Sequence, residues 1–489
     1  MQTNEKLISV ESDVNDYLNK KHSMFDNDIV EVFKKFNIRT LLNRNNIKKR
    51  CGRPTEYIIF ELFLIPFLML SNVFLFVRTQ YENAVTHKNQ FYRLLENANY
   101  NWFSFIQSLS FEVFKAIQEE TVKNKRASDK ADKKSTEFFV VDDTVHRISG
   151  KLVESASYIY DHVTGKSVLG FQKLVLGIFD GSQFLPISSH ICAGKRKPKA
   201  ESKAIKYKKI PKSECIPSDS PGAQERKMLS ETKLEKTFSM LEQAKQKGFS
   251  ASTVLFDSWF CFNSFIIKIK ESLKLNVICQ LKNLPRPNQY IYKGKSYSLA
   301  ELWAYYAKSR LRKARKHSFK WTALRVSLAG SNVQMKIVFL QNEGKEKWHA
   351  FASTDTGLSK ERILKHYSYR WSIEVFFKNC KQYLNYSKEQ VSNLDSIIAC
   401  DALVFMRYII LTYLAYLDNI SIYKEFDKLR TTHLRRTFGM RLMDHFFKRF
   451  NELVQKVIWL LENGNINQAR ETLDEFVSQE EKKLEMGMV

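Results

Sequence analysis

The chain has 489 residues, enough for two or three domains with hydrophobic cores of their own. Lysine and arginine total 78 against 52 aspartates and glutamates, and the resulting net charge of +26 favours a polyanionic partner. Nucleic acid is the first expectation, and an anionic membrane surface is the alternative. The seven cysteines, odd in number and without a Cys-x-x-Cys pair, argue against a disulfide framework and against a structural zinc site.

The N-terminal 130 residues are predicted to be helical. Residues 25–46 show a basic, amphipathic pattern, and the segment KKRCGRP follows at residues 48–54. A Gly-Arg-Pro sequence flanked by cations suits the minor groove of A·T-rich DNA, but an exposed basic linker accounts for it equally well. Helicity and positive charge, rather than a motif, lead us to expect that residues 1–130 bind DNA.

Residues 57–77 are apolar and long enough to cross a bilayer. They also contain Glu61, Pro66 and the pair Ser71-Asn72, and an unpaired carboxylate in hydrocarbon is costly. We therefore expect buried helices that break near Pro66 rather than a membrane span, and no comparable second segment. Since the first residues contain no apolar signal-peptide core, we expect a cytoplasmic protein associated with a bacterial nucleoid.

Strand patterns begin beyond a Lys-rich stretch at residues 121–135, and we place a domain boundary near residue 130. Residues 138–141 are an apolar run that we expect to end as a strand at Asp142, Asp143 and Thr144. Another carboxylate, Asp257, follows the apolar run 253–256 in the same way. Further strands are predicted at 173–179, 183–187 and 277–281, with a hairpin turn at 180–182, and helices at 225–248 and from Asp257 through Leu273.

Residues 283–356 have a different composition, with Gly and Asn turns between β-rich pieces at 290–297, 321–328, 334–340 and 348–353. This composition predicts a β-rich insertion between the sheet and the next helix. After Ser359 the chain is predicted to be helical almost to its end. The sequence contains no Walker-type glycine loop, which argues against a nucleotide-driven motor.

The segment YSYRWSIEVFFKNCK, residues 367–381, concentrates polar side chains on one face of a predicted helix. With about 100° per residue, Tyr367, Arg370, Glu374, Lys378 and Lys381 share a face about 80° wide. The apolar residues at positions 373, 375 and 376 are expected to point into a core. Taken alone, such a face is equally typical of a solvated helix with small ion-pair gains. One carboxylate among cations also suits a metal ligand that works beside DNA phosphates.

Three acidic positions form a candidate metal site: Asp142 or Asp143, Asp257, and Glu374. Ligands bind beyond the carboxyl ends of strands in open α/β sheets, and carboxylates placed there can hold two Mg²⁺ ions about 4 Å apart. Mn²⁺ suits the same oxygen ligands. Two such ions stabilise the attacking and leaving oxygens of an in-line phosphoryl displacement. Because side chains alternate along a straight strand, only one of the first two aspartates can face the metals.

The spacing Tyr-x-x-Arg-x-x-x-Glu-x-x-x-x-x-x-Lys resembles the YREK signature of the insertion-sequence-four family of DDE transposases. Tyr367, Arg370, Glu374 and Lys381 match it at every position. The segments VVDDT at 140–144 and VLFDSWF at 254–260 resemble the family's two aspartate motifs. Family members show Asp-x-Thr or Asp-x-Ser at the first motif, which favours Asp142. The resemblance covers about residues 90–400.

The resemblance implies an α/β fold with an RNase H-like, mixed-sheet catalytic core at 131–282 and 357–415. The β-rich insertion at 283–356 would interrupt this core, and helical regions would lie at 1–130 and 416–489. The implied enzyme is a two-metal polynucleotidyl transferase that cleaves transposon ends and joins them to target DNA by cut-and-paste transposition. The implied catalytic metal ligands for two Mg²⁺ or Mn²⁺ ions are Asp142, Asp257 and Glu374, and the implied DNA-phosphate ligands are Tyr367, Arg370, Lys378 and Lys381.

The implied partner is double-stranded DNA, both the terminal inverted repeats of the element and the target DNA. The implied DNA-bound form is a homodimer, and no membrane partner is expected. The family's base-flipping aromatic has three candidates in the insertion, Trp303, Trp321 and Trp348, each of which also suits a core. Helices beyond Asn419 suit either dimerisation or a packed cap. Two alternatives remain: a catalytically silent DNA-binding regulator derived from a transposase, against which the intact acidic triad argues, and a membrane-anchored protein.

Overall fold

The N-terminal helices are shorter than the sequence pattern predicts. The computed structural model describes residues 27–79, 87–127, 137–194, 212, 215–284, 288–314 and 318–485. In place of one helix over 25–46 it has α1 (Asn27–Lys35) and α2 (Ile38–Arg44). The break lies at Asn37, whose φ of 43° is left-handed and whose side-chain oxygen accepts a hydrogen bond from Thr40 N at 3.3 Å. A residue in this conformation ends one helix, and its short polar side chain caps the next.

The apolar segment 57–77 breaks where Pro66 predicts. Helix α3 (Thr55–Leu64) passes into a 3₁₀ turn at Ile65–Leu68, and α4 (Val73–Thr79) follows. Glu61 is buried but paired with Arg53 at 3.2 Å, so its charge is compensated inside the protein. The prediction of buried helices is confirmed for α3, whereas α4 is only partly buried, with Phe74 54 % exposed. Two further helices complete this region: α5 (Lys88–Leu95) and α6 (Trp102–Ala127).

Six strands form the first part of one large mixed sheet. β1 pairs with β3 in antiparallel and with β5 in parallel orientation, β5 is parallel to β6, and β4 is antiparallel to the second half of β3. The short strand β2 pairs with the first half of β3 and was not predicted. The bounds are β1 (Phe138–Arg147), β2 (Ser157–Asp161), β3 (Lys166–Phe179), β4 (Phe184–Cys192), β5 (Thr253–Phe256) and β6 (Asn276–Leu281).

The connection from β4 to β5 is helical. The helix predicted at 225–248 is instead α7 (Pro221–Met228) and α8 (Lys233–Lys247). Thr232 starts the second helix with a capping box to Glu235, and Gly248, at a φ of 101°, ends it as predicted. Helix α9 (Asn263–Ser272) joins β5 to β6.

The β-rich insertion extends this sheet rather than forming a separate one. Its last strand is antiparallel to β6, which gives the strand order β2-β3-β1-β5-β6-β12-β11-β10-β7-β8. The prediction of a β-rich insertion after β6 is confirmed. Its elements are β7 (Tyr290–Tyr292), β8 (Lys295–Tyr297), the short α10 (Leu299–Leu302), β9 (Arg312–Lys313), β10 (Phe319–Leu328), β11 (Gln334–Asn342) and β12 (Trp348–Ser353).

The chain is helical beyond the insertion, as predicted. Its helices there are α11 (Lys360–Ser368), α12 (Trp371–Tyr383), α13 (Leu394–Leu417), α14 (Ile422–Glu462) and α15 (Ile466–Glu485). The ring of Phe376 packs edge-on against Tyr408 at 4.7 Å and Phe405 at 5.2 Å, which fixes α12 against α13. Ile373 is buried as expected, but Val375 is 41 % exposed, so the expectation that it points into the core was wrong.

Helix α13 is long and apolar enough to cross a membrane by length and composition. The expectation of no segment comparable to residues 57–77 was therefore wrong. However, 94 % of its most apolar window is buried against the rest of the protein, which is typical of a core helix. The helix contacts α3, α6 and β4 within the same unit.

The chain divides into two units. One comprises Val32–Pro66 and Leu70–Glu425 and contains the sheet and its helices. The other comprises Met1–Glu31, Phe67–Met69 and Phe426–Val489, where Phe67 packs on Phe426 at 5.3 Å. The fold class is confirmed: a mixed α/β protein, consistent with an RNase H-like core, with helices toward both ends.

Candidate active site

Asp142 and Asp257 follow paired positions on neighbouring parallel strands. Val141 of β1 lies opposite Phe256, the last residue of β5, so the two carboxylates begin at the same sheet edge. Neighbouring strands are about 4.8 Å apart. The prediction that strand β1 ends at Asp142 was wrong. The strand continues to Arg147, because its pairing with β3 continues there. Asp257 instead leaves its strand and caps a 3₁₀ turn at Ser258–Phe260, accepting a hydrogen bond from Trp259 N at 2.9 Å.

Arg370 joins the first carboxylate to the third. Its Nη1 donates to Asp142 Oδ2 at 2.9 Å, and its Nη2 donates to Glu374 Oε1 at 2.5 Å. The Arg370 side chain is 14 % exposed, so these charge-assisted hydrogen bonds are largely shielded from water. The structure therefore joins Asp142 and Glu374 through one guanidinium, and Asp257 follows the neighbouring parallel strand at the same end of the sheet.

The prediction that residues 367–381 form one continuous helix was wrong. The segment is divided between α11 and α12 by a tight turn, in which Tyr369 N and Arg370 N bond to carbonyls three residues earlier, at 3.1 and 3.0 Å. The 3₁₀ turn changes the angular spacing of the predicted polar face. Arg370 and Glu374 nevertheless remain four residues apart on adjacent turns and form an ion pair.

The electrostatics of Asp142 suit a cation site. Burial raises the pKa of Asp142 to about 7; Arg370 opposes this shift, and the neighbouring Asp257 and Asp143 carboxylates add to it. Asp142, Asp257 and Glu374 supply three carboxylates near the single guanidinium of Arg370, and a hard divalent cation is the kind of ion that such oxygen ligands prefer. Among the residues that the structure describes, no three His, Cys, Asp or Glu side chains are grouped closely enough to hold a metal ion. The donor chemistry fits a divalent cation, and Arg370 occupies one oxygen each of Asp142 and Glu374.

Asp143 faces the opposite side of β1. Its Oδ1 accepts a hydrogen bond from Lys233 Nζ, at the start of α8, at 2.9 Å. Thr144 returns to the face of Asp142, as alternation along a strand requires, and its hydroxyl accepts a hydrogen bond from Lys381 Nζ at 2.6 Å. Of the two candidate aspartates, Asp142 is the one beside Arg370 and Asp257.

The remaining predicted DNA ligands differ in their surroundings. The Tyr367 hydroxyl donates to Gln280 Oε1 at 3.3 Å, its ring lies 5.7 Å from the Arg370 guanidinium, and burial raises the pKa of Tyr367 to about 12. Burial also lowers the pKa of Lys381. Lys378 is exposed on α12, and no contact joins it to the other site residues described. The structure thus joins Tyr367 to Arg370 and places Lys381 beside Thr144 of β1.

Sequence reasoning missed Lys233 and Trp259 at this edge of the sheet. Lys233 belongs to no motif, and only its placement at the start of α8 brings it to Asp143. Trp259 lies inside the quoted segment VLFDSWF but was not selected. The sequence could have indicated Trp259, because it is an aromatic residue two positions after the candidate ligand Asp257.

The three tryptophans considered for base flipping pack within the insertion. Trp303 stacks on Trp348 at 5.0 Å with a ring angle of 14°, and both Trp303 and Trp321 are buried. In the basic segment 48–54, Arg53 pairs with Glu61 and Lys49 donates to Gln90 at 3.1 Å, so these two cations already have protein partners. The seven cysteines are free, as expected without a disulfide framework.

Comparison with known proteins finds one similarity, which covers part of the chain. Residues 229–409 match the model of the family described as transposase DDE domain. The matched region contains Asp257 and Glu374 together with the whole segment 367–381, whereas Asp142 precedes it. Curated proteins gave no match. The match covers just over a third of the chain, and it supports a similarity of that region to transposase-type nucleases and transferases.

Proposed function

We propose that this protein is a DNA transposase of the insertion-sequence-four type, which cleaves transposon ends and joins them to target DNA by a cut-and-paste route. The observation that carries the proposal is the Arg370 bridge from Asp142 to Glu374, with Asp257 at the adjacent strand end. The match of residues 229–409 to a transposase domain supports DNA as the substrate. The net charge of +26 supports binding to a polyanion.

Asp142, Asp257 and Glu374 are the proposed ligands of two Mg²⁺ or Mn²⁺ ions. Their carboxylate oxygens are the ligands that these cations prefer. When bound, the ions would supply Lewis-acid stabilisation of charge on a phosphate undergoing in-line displacement. The raised pKa of Asp142 supports this assignment, because a buried carboxylate with too little positive charge around it favours a cation.

The basic side chains of the site are the proposed DNA ligands. Arg370 presents a planar fork of N–H donors that matches a phosphate as well as a carboxylate. Lys381, which donates to the Thr144 hydroxyl, is the proposed ligand of a phosphate near Asp142. Tyr367, whose ring lies beside Arg370, is proposed to support that guanidinium and to contact the same DNA end. Lys378, which is exposed, would contact DNA farther from the carboxylates. A homodimer that holds two transposon ends is part of the proposal.

The test is metal-dependent cleavage of a plasmid that carries the DNA flanking the gene. Asp142→Asn, Asp257→Asn and Glu374→Gln are each expected to reduce cleavage at least a thousandfold while DNA binding persists, since uncharged amides are poor ligands for hard cations. Asp143→Asn is the matched control, because Asp143 pairs with Lys233 on the other face of β1. It is expected to cleave within about tenfold of the unaltered protein.

Undiminished Mg²⁺-dependent cleavage by Asp257→Asn and Glu374→Gln would refute the proposed site. Equal loss in Asp142→Asn and Asp143→Asn would remove the distinction between the two strand faces. Sequence-specific binding by the unaltered protein, without cleavage in either Mg²⁺ or Mn²⁺, would instead identify a silent regulator.

A further inference from the structure

Lys233, at the start of α8, contacts residues that follow both of the first two candidate ligands. Its Nζ lies 2.9 Å from Asp143 Oδ1 and 3.7 Å from the centroid of the Trp259 ring. Asp143 comes directly after Asp142, and Trp259 comes two positions after Asp257. One ammonium group therefore joins the polar part of β1 to the 3₁₀ turn that follows β5.

The two residues that Lys233 contacts each orient one candidate ligand. Asp143 N donates to Asp142 Oδ1 at 2.8 Å, and Trp259 N donates to Asp257 Oδ1 at 2.9 Å. A hydrogen bond to one carboxylate oxygen limits the rotation of the group and so directs its second oxygen. Because the side chains of both donor residues are held by the same ammonium, Lys233 limits how far the two donors can move apart.

The surroundings of Lys233 favour a structural contact over a contact with DNA. Its side chain is 11 % exposed and that of Asp143 is 17 % exposed, so the ion pair is largely shielded from water. The Asp143 carboxylate compensates the charge of the ammonium, and an indole face attracts a cation as well. Arg370 thus bridges two carboxylates on one face of β1, and Lys233 acts from the other face.

We propose that Lys233 is a positioning residue of the active site, which sets the distance between Asp142 and Asp257 and thereby the affinity of the site for divalent cations. Residues that hold metal ligands in place without touching the metal change its affinity by about 10- to 100-fold when they are replaced. This inference rests on the proposed function, since it takes Asp142 and Asp257 as metal ligands. Lys233 itself contacts neither the metal nor the DNA.

The test measures Mn²⁺ binding by the full-length protein on a duplex of the DNA that flanks the gene. Free Mn²⁺ is followed by its electron paramagnetic resonance signal, with the duplex alone as the blank. Lys233→Met keeps the apolar stem but removes the ammonium, and it is expected to weaken Mn²⁺ binding at least about tenfold. Lys233→Arg keeps a cation that can donate to a carboxylate and stack on an indole, so it is expected to stay within about threefold.

Lys268→Met is the matched control for the loss of a lysine beside an aromatic ring. Lys268 is exposed on α9, and its Nζ lies 4.1 Å from the ring centroid of Phe238 on α8. Because this contact involves neither the polar part of β1 nor the turn after β5, Lys268→Met is expected to leave Mn²⁺ affinity unchanged.

A double variant tests whether Lys233 acts through Asp143. Asp143→Ala removes the carboxylate that accepts from Lys233. Adding Lys233→Met to Asp143→Ala is therefore expected to weaken Mn²⁺ binding less than Lys233→Met does alone. Asp143→Asn is a milder change, because its amide oxygen still accepts a hydrogen bond from Lys233.

Cleavage as a function of Mn²⁺ concentration separates lost metal affinity from lost folding. At saturating Mn²⁺, Lys233→Met is expected to cleave within about threefold of the unaltered protein, since only the metal requirement has changed. Failure to recover would show a merely structural role and overturn the proposal. Unchanged Mn²⁺ affinity in Lys233→Met would overturn it too, as would a loss of DNA affinity without a change in the Mn²⁺ requirement.

The failure of the proposed function would look different. If Mn²⁺ binding depends on Asp142, Asp257 and Lys233 but the unaltered protein cleaves no DNA, the enzymatic assignment fails and the positioning role stands. If cleavage depends on Asp257 and Glu374 while Lys233→Met binds Mn²⁺ as tightly as the unaltered protein, only the role of Lys233 fails.

Discussion

Replacing Lys173 by methionine is expected to destabilise the unit that contains the sheet. Lys173 lies in the middle of β3 with no exposed surface, and its Nζ donates to Glu389 Oε1 at 2.9 Å and to Asp401 Oδ1 at 2.6 Å. Its ammonium also lies 4.9 Å from the ring of Tyr386. Methionine keeps the length and the apolar stem of the side chain, so the main change is the loss of charge.

The magnitude follows from the two carboxylates left behind. One cation balances two buried anions here, and burial raises the pKa of Asp401 to about 7 even with Lys173 present. Removing one partner of a buried ion pair costs about 3–5 kcal/mol, because the remaining charge is neither solvated nor paired. We expect Lys173→Met to lower the free energy of unfolding by about this amount.

The assay is urea unfolding followed by far-UV circular dichroism, with Lys166→Met as the control. Lys166 begins the same strand but is exposed, so its replacement is expected to change stability by less than about 0.5 kcal/mol. A deficit below about 1 kcal/mol for Lys173→Met would refute the account of a buried, charge-dependent cluster.

The loss of stability in Lys173→Met is also expected to depend on pH in a definite direction. Without the cation, the folded-state pKa values of Glu389 and Asp401 rise relative to those of the unfolded chain. Such groups favour folding when protonated, and this contribution is lost as pH rises through the folded-state pKa. The deficit of Lys173→Met is therefore expected to be smaller at about pH 5 than at about pH 8. A deficit that grows as the pH falls would show that Glu389 and Asp401 are not the unpaired charges.

Two further predictions concern neighbouring parts of the sheet. Burial lowers the pKa of His146 from 6.5 to about 3, with Lys173 and Lys381 adding to the shift and Glu389 opposing it, so folding excludes a proton between these values. As the pH drops through that window, the unfolded chain takes up the proton before the folded protein does, so the free energy of unfolding is expected to decrease. Urea titrations at stepped pH should show a smaller decrease for His146→Phe. Gly177→Ala would place a Cβ atom 2.2 Å from a phenylalanine ring and is expected to cost about 1–3 kcal/mol in the same assay, whereas Gly150→Ala, whose Cβ meets only an ordinary contact, is expected to be nearly neutral.

The strands that carry the first two candidate carboxylates could be predicted from sequence. Short apolar runs bounded by polar residues specify buried strands, and Asp142 and Asp257 stood out because each follows such a run. What the pattern could not give was the end of β1, since the strand continues through polar residues by pairing with β3. The position of Lys173 was mispredicted for a related reason. The sequence pattern starts the strand at Lys173, whereas the strand begins at Lys166 and Lys173 lies buried in its middle.

The local breaks in helices were less accessible. The turn between α11 and α12 is marked by neither glycine nor proline, and it depends on hydrogen bonds that the periodicity of the sequence does not specify. The start of α8 does have a sequence signal, the capping-box spacing of Thr232 and Glu235, which apolar periodicity alone overlooks. The pairing of Lys233 with Asp143 is tertiary, joining residues 90 positions apart. The acidic and basic residues of the site could thus be listed from sequence, but the partner of each could not.

The partners of Arg370 limit how the proposed site can work. A guanidinium that donates to both Asp142 and Glu374 cannot give the same N–H groups to a DNA phosphate. Divalent cations and Arg370 would also compete for the same carboxylate oxygens. Under the proposed function, Asp142 and Glu374 therefore release Arg370 when they bind cations. The released Arg370 then binds a DNA phosphate. The two events favour each other, because each supplies the charge that the other removes. Under the proposed function, this coupling would explain why an arginine lies between two candidate metal ligands.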